Sequence, residues 1–130
     1  MEMRYLGIDY GEKRVGLALS DERGDFSYPL SVLDNEGNLV EEILTICKEK
    51  NVETIVVGES RNFKQEENPI MKQVHGLVEI LRTKTSLPVH LHPEFMTSLE
   101  AEHLQGHNEM HDASAAALIL KSYLESKQTL

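Results

Sequence analysis

The chain has 130 residues, an apolar fraction of 40% and a formal net charge of −9. That length sets the expectation of a single folded domain with its own core. The acidic balance argues against a protein that holds nucleic acid by a broad basic surface, but not against a metal-dependent nuclease, because bound cations reverse the local sign. No run of about 18 apolar residues occurs, and the charged start leads directly into a strand, so neither a membrane span nor a secretory leader is expected. The one cysteine, Cys47, lies in a helical pattern and reads as a small buried hydrophobe. A cytoplasmic protein is the expectation.

Residues 4–9 and 14–20 read as two strands joined by a tight turn, the first ending on Asp9 with Gly11 two residues later. Two readings of this stretch are open. A carboxylate at a strand end, beside bare backbone, suits a hard cation such as Mg²⁺; alternatively Asp9 caps the turn and Gly11 supplies a positive φ. Val15, Leu17 and Leu19 alternate with Gly16, Ala18 and Ser20, giving one apolar face. Residues 21–25 are a polar turn. A weaker third strand follows at about 27–33, where Pro29 fits an edge position.

Asn38 and Glu41 form a capping-box-like start. The helix behind them carries Leu39, Ile43, Leu44, Ile46 and Cys47 at helical spacing, with Lys48 and Lys50 where cations suit the dipole. A short buried strand at 53–57 is ended by Gly58, and a helix between strands implies a right-handed crossover with parallel pairing. Residues 58–68 are a polar loop. Asn68-Pro69 opens a helix to about 83, with Ile70, Val74, Leu77, Val78 and Leu81 inward. Residues 87–91 read as the fifth strand. A second capping box at Thr97–Glu100 opens a short helix to about 105, residues 106–108 break it, and a helix from about 112 to 127 follows. The order predicts an α/β fold: a mixed five-stranded sheet, made of a three-stranded antiparallel meander plus two parallel strands, flanked by helices.

Ligands of open α/β sheets bind beyond the carboxyl ends of parallel strands. If the first, fourth and fifth strands are parallel neighbours, Asp9 and Glu94 reach one edge, and Asp112 can point there too. Three carboxylates together need a counter-charge. A divalent cation supplies it, and two would clamp an in-line phosphoryl displacement. Each acid also has a structural reading, Glu94 as a solvated residue before a cap and Asp112 as an N-cap. Among the six histidines, His90 and His92 alternate on one strand face, while His103, His107 and His111 are spaced by four. Gly106 and Asn108 interrupt that helical pattern and no Cys pair accompanies it, which argues against a zinc site. His111, beside Asp112, is the candidate proton donor.

The stretch Leu6-Gly7-Ile8-Asp9-Tyr10-Gly11-Glu12-Lys13-Arg14-Val15-Gly16-Leu17-Ala18-Leu19-Ser20-Asp21 resembles the start of the YqgF-type Holliday junction resolvases, which have a ribonuclease-H-like fold. The likeness continues through Ile55-Val56-Val57-Gly58, Leu87-Pro88-Val89-His90-Leu91, Glu94 with Met96-Thr97-Ser98, and Asp112 with Ala115-Ala116 and residues 118–124. The opening motif alone is shared with actin-like kinases and chaperones, which need a second domain that 130 residues cannot supply. The resemblance implies Mg²⁺- or Mn²⁺-dependent cutting of branched DNA, or of the 5′ end of precursor 16S ribosomal RNA, with Asp9, Glu94 and Asp112 as catalytic metal ligands. It implies a phosphate contact at Lys13, with Arg14, Arg61, Asn62 and Thr97 also on the substrate side. A monomer or a homodimer is expected, the dimer for symmetric two-strand cutting.

The chain departs from the family pattern in three places. Pro93-Glu94-Phe95 stands where the family has Asp-Glu-Arg, Ser60 replaces a proline, and the loop at 106–111 is not basic. A weakly active or binding-only relative of the same fold is therefore the alternative to a nuclease, and a small phosphate-ester hydrolase is a third reading.

Overall fold

The computed structural model describes residues 4–62, 64–93 and 109–128, with side chains of the last helix described over 113–127. Its elements are β1 (Arg4–Tyr10), β2 (Arg14–Ser20), β3 (Ser27–Asp34), α1 (Leu39–Glu49), β4 (Val52–Glu59), α2 (Met71–Thr85), β5 (Val89–Pro93) and α3 (Glu109–Gln128). The strands form one sheet in the order β3-β2-β1-β4-β5. β1, β2 and β3 pair antiparallel, and β4 and β5 extend the sheet parallel to β1. This is the predicted meander plus two parallel strands. Pro29 lies on β3, the edge strand, where its missing N–H costs no ladder bond.

The sheet is buried on both faces. Leu6, Ile8, Val15, Leu17, Leu19, Ile55, Val57 and Val89 point to one face and meet Leu39, Ile43 and Cys47 of α1 and Met71, Val74, Leu77, Val78 and Leu81 of α2. Tyr5, Ala18 and Val56 point to the other and meet Ala116, Ile119, Leu120 and Leu124 of α3. The second face carries small residues because α3 lies almost on the backbone. A Cβ on Gly7 would stand 2.9 Å from Leu120 Cβ and 3.1 Å from the Ala116 carbonyl oxygen. Ser20 is fully buried, and its hydroxyl accepts the Tyr5 N–H at 2.8 Å and donates to the Asp21 carbonyl at 2.9 Å. Burial also holds the Cys47 thiol up at about 11, as expected of a structural cysteine.

Several local expectations are corrected. Gly58 does not end β4, which runs on to Glu59. β5 is displaced two residues, to 89–93, so Pro93 is its last residue. Asn38 precedes α1 without a side-chain cap; its amide donates instead to Glu42 Oε1 at 3.2 Å. α2 begins at Met71 rather than at Pro69, because Asn68 is spent on the preceding turn: its carbonyl accepts the Met71 N–H, and its amide donates to Ser60 Oγ at 2.8 Å. Met71 fills the core place expected of Ile70, and its Sδ accepts the Ser60 N–H at 3.3 Å. α3 begins at Glu109, so Asp112 sits inside the helix and is not its N-cap. The short helix expected near 97–105 lies outside the described residues.

Candidate active site

Strand alternation settles which way Asp9 faces. Leu6, Ile8 and Tyr10 pack on the α1/α2 side, so Tyr5, Gly7 and Asp9 belong to the α3 side. Asp9 pairs with Gly16 on β2. The parallel register sets Ile8 beside Val57, and hence Asp9 level with Gly58 on β4. Gly58 in turn pairs with His92 on β5. One row on the α3 face therefore reads Gly16, Asp9, Gly58, His92. The half-buried carboxylate stands between two residues without side chains, at the edge where three parallel strands end.

The turn after Asp9 is tight for a different reason from the one expected. The Gly11 N–H donates to the Arg14 carbonyl at 3.0 Å, and a Cβ on Gly11 would stand 2.6 Å from that oxygen. Its φ is not positive; Gly24, in the next turn, has the positive φ, at 71°. Close approach, not handedness, demands glycine here. Lys13 and Arg14 are exposed on this turn. The Lys13 carbonyl accepts the Asn35 N–H at 2.9 Å, and the Asn35 amide donates to the Gly11 carbonyl at 2.8 Å, so the segment after β3 braces the turn.

The loop after β4 is held by its own polar groups. Arg61 donates from Nε to Glu59 Oε1 at 2.9 Å, from Nη2 to Oε2 at 3.1 Å, and from Nη1 to the Gln65 carbonyl at 3.0 Å. This clamp holds the Glu59 carboxyl below its ordinary range. Asn62 Oδ1 accepts the N–H groups of Lys64 at 2.8 Å and Glu66 at 3.1 Å, an Asx turn. Arg61 and Asn62, expected as substrate contacts, also shape this loop.

In the sequence, His90 and His92 read only as a pair on one strand. The register puts His92 on the Asp9 row, two strands away or about 10 Å. Its Nε2 lies 2.9 Å from Ser122 Oγ, its ring meets Tyr123 edge-on, and burial lowers its pKa. The period-two spacing of His90 and His92 is the signal the sequence offers, and it becomes informative only with the register. Glu94 and Thr97 lie outside the described residues. His111 and Asp112 belong to the first turns of α3 by their backbone. Position 112 is one helical turn, about 6 Å, before Ala116, whose carbonyl packs on Gly7, and Asp9 is two strand residues, about 7 Å, beyond Gly7. Among the described residues no group of three metal-binding side chains forms.

The sequence pattern of a family described as "RuvX: Holliday junction resolvase" matches residues 3–126. The chain belongs to this family. A relative from Nitratidesulfovibrio vulgaris (strain DSM 19637 / Miyazaki F), named "Putative pre-16S rRNA nuclease", is 37% identical over 140 residues, covering 98% of this chain and 99% of its own. Another of that name, from Desulforudis audaxviator (strain MP104C), is 32% identical over 137 residues, with 98% and 97% coverage. Among solved structures, RuvC of T. thermophilus in complex with a Holliday junction substrate superposes with a TM-score of 0.66 at 17% identity, covering 98% of this chain and 96% of that one. The yeast mitochondrial Holliday junction resolvase Ydc2 superposes with a TM-score of 0.59 at 13% identity, covering 98% and 80%. This member of the RuvX family thus has the ribonuclease-H-like fold that the resemblance along the chain implied.

Proposed function

We propose that the chain is a divalent-metal-dependent endonuclease for structured nucleic acid, cutting branched DNA or the 5′ end of precursor 16S ribosomal RNA. Its metal ligands in this reading are Asp9, Glu94 and Asp112. The position of Asp9 carries the reading: an acid at the carboxyl edge of three parallel strands, flanked on both neighbouring strands by glycine. An all-carboxylate donor set fits a hard cation, and Gly16 and Gly58 set no side chain beside it. Bound Mg²⁺ or Mn²⁺ supplies an activated water and neutralises charge on the phosphodiester.

The chain's own residues then have distinct tasks. Asp9 holds the ion at the sheet edge. Lys13 and Arg14, on the exposed turn that follows, meet the phosphates beside the cut, and Thr97 adds a hydroxyl contact. Gly58 lets the sugar–phosphate backbone approach the sheet. Asn62 and Arg61 fix the loop that borders the substrate, and His111 gives a proton to the leaving oxygen. A precursor-rRNA substrate goes with a cytoplasmic location, and symmetric junction cutting goes with a homodimer.

A binding-only relative is favoured by one observation. The guanidinium of Arg61 is spent on Glu59 and Gln65, while Phe95 stands where the family has arginine. One assay separates the two. Labelled four-way junctions and precursor-rRNA-like strands are incubated with the protein and Mg²⁺ or Mn²⁺, beside Asp9→Asn. Metal-dependent cleavage that falls at least about a hundredfold in the variant is expected. Equal cleavage by both proteins overturns the assignment, and tight binding without cleavage supports the binding-only reading.

A further inference from the structure

β5 and the end of α3 build an aromatic step beside the Asp9 row. The His90 ring is stacked on the Tyr123 ring, with centroids 5.7 Å apart and planes 21° from parallel. Tyr123 is fixed from three other sides. His92 meets it edge-on at 5.7 Å, Tyr5 lies 6.0 Å away at 54°, and Lys127 Nζ sits 5.9 Å from its centroid. Lys127 is held in turn by the Tyr5 hydroxyl, with its Nζ 4.8 Å from that ring's centroid. Tyr123 is half-buried, and His90 above it is exposed. One face of the imidazole meets Tyr123, and the residue as a whole is exposed.

The packing asks for none of this. An exposed strand position beside a half-buried tyrosine is filled equally well by threonine or valine. A flat ring braced on a second ring is instead a preorganised stacking surface. Register places it close to the candidate chemistry: His90 is level with Val56, and the next row outward holds His92, Gly58 and Asp9. The Lys127 ammonium beside it supplies positive charge on a chain whose net charge is −9.

We infer that the face of the His90 ring away from Tyr123 receives an unpaired base of the nucleic-acid substrate, next to the Asp9 row. The inference rests on the nucleic-acid reading and narrows it. A paired base keeps both faces inside the duplex, so a ring platform selects a single-stranded segment. The substrate class is then a nucleic acid with an unpaired stretch a few nucleotides from the cut. The platform itself accepts DNA or RNA, because every base has a π face.

The test separates stacking from charge and from catalysis. Binding of short unpaired DNA and RNA strands of one sequence, and of a blunt duplex, is measured by fluorescence anisotropy without divalent metal. His90→Ala is expected to weaken both single strands by about fivefold or more and leave the duplex unchanged. His90→Phe, which keeps the ring and removes the ionisable nitrogens, is expected to restore wild-type binding. The inference is overturned if wild-type protein does not bind the unpaired strands, if His90→Ala binds them as wild type does, or if His90→Phe fails with it. Weakening of one strand type only supports the platform for that nucleic acid and overturns its acceptance of both. Cleavage by the same proteins with Mg²⁺ is scored separately, so failure of the nuclease reading stays distinguishable from failure of the platform.

Discussion

Single glycines decide how closely this fold can be assembled, and their effects differ in sign. Gly7 lies two residues before Asp9, beneath Ala116 and Leu120, where a methyl group would meet Leu120 Cβ at 2.9 Å. Gly7→Ala must push α3 away from β1, against close-packed neighbours on both sides. A loss of about 1–3 kcal/mol is expected, read as a lower urea midpoint at unchanged slope. A methyl group on Gly76, inside α2, would meet no neighbour within 4 Å, so Gly76→Ala should stabilise by about 0.4–1 kcal/mol through the unfolded state. If Gly7→Ala costs nothing, the close-approach account of Gly7 fails; if Gly76→Ala destabilises, the space beside Gly76 is not open as the packing shows. Gly11 shows what the sequence could not say here. A glycine after an acid reads naturally as a handed turn, whereas its actual constraint is a carbonyl three residues on.

The loop between β4 and α2 is an element built from charge rather than from apolar contact. Arg61 grips Glu59 with two nitrogens, and Glu67 meets His75 at 3.0 Å a turn into α2. With its folded-state pKa depressed, Glu59 binds protons more readily in the unfolded chain. Its stabilising contribution is thus complete above the ordinary glutamate range and lost as pH falls through the lower folded value. Arg61→Ala should therefore destabilise most near pH 7 and progressively less toward about pH 3, as read from urea midpoints across that range. A pH-independent difference would show that the pair contributes shape without electrostatics. Arg61→Lys should restore little, because an ammonium cannot span both carboxylate oxygens. Elements governed by apolar period were the legible ones. α1 buries Leu39, Ile43 and Cys47 as its spacing nominated, with Leu44 and Ile46 partly buried, α2 buries Val74, Leu77, Val78 and Leu81 with Met71 in place of Ile70, and β2 alternates as read. Their edges were not legible, because Asn38 and Asn68 have polar partners, Glu42 and Ser60, that local capping patterns do not foresee. The row of Gly16, Asp9, Gly58 and His92 was hidden for a similar reason, since it exists only in the register between strands far apart in the chain.

Over the whole molecule, the question is how a chain of net charge −9 holds a polyanion. An anionic body repels phosphates at long range, so affinity has to come from a few short contacts, from ring stacking and from bound cations. The cations near the proposed path are few: Lys13 and Arg14 on the turn after β1, and Lys127 beside the Tyr123 ring. About three neutralised phosphates correspond to a slope of roughly −2 in log K against log salt for a single strand. A monovalent-salt titration of single-strand binding, in the absence of divalent metal, should give that shallow slope. Divalent metal should then tighten binding in wild type far more than in Asp9→Asn, because an ion held at the sheet edge, as proposed, would replace the positive charge the surface lacks. A slope steeper than about −5 would require a basic surface elsewhere on the chain and would displace the substrate from the Asp9 row. A shallow slope with equal metal enhancement in both proteins would keep the sparse-contact account and remove Asp9 from the ion.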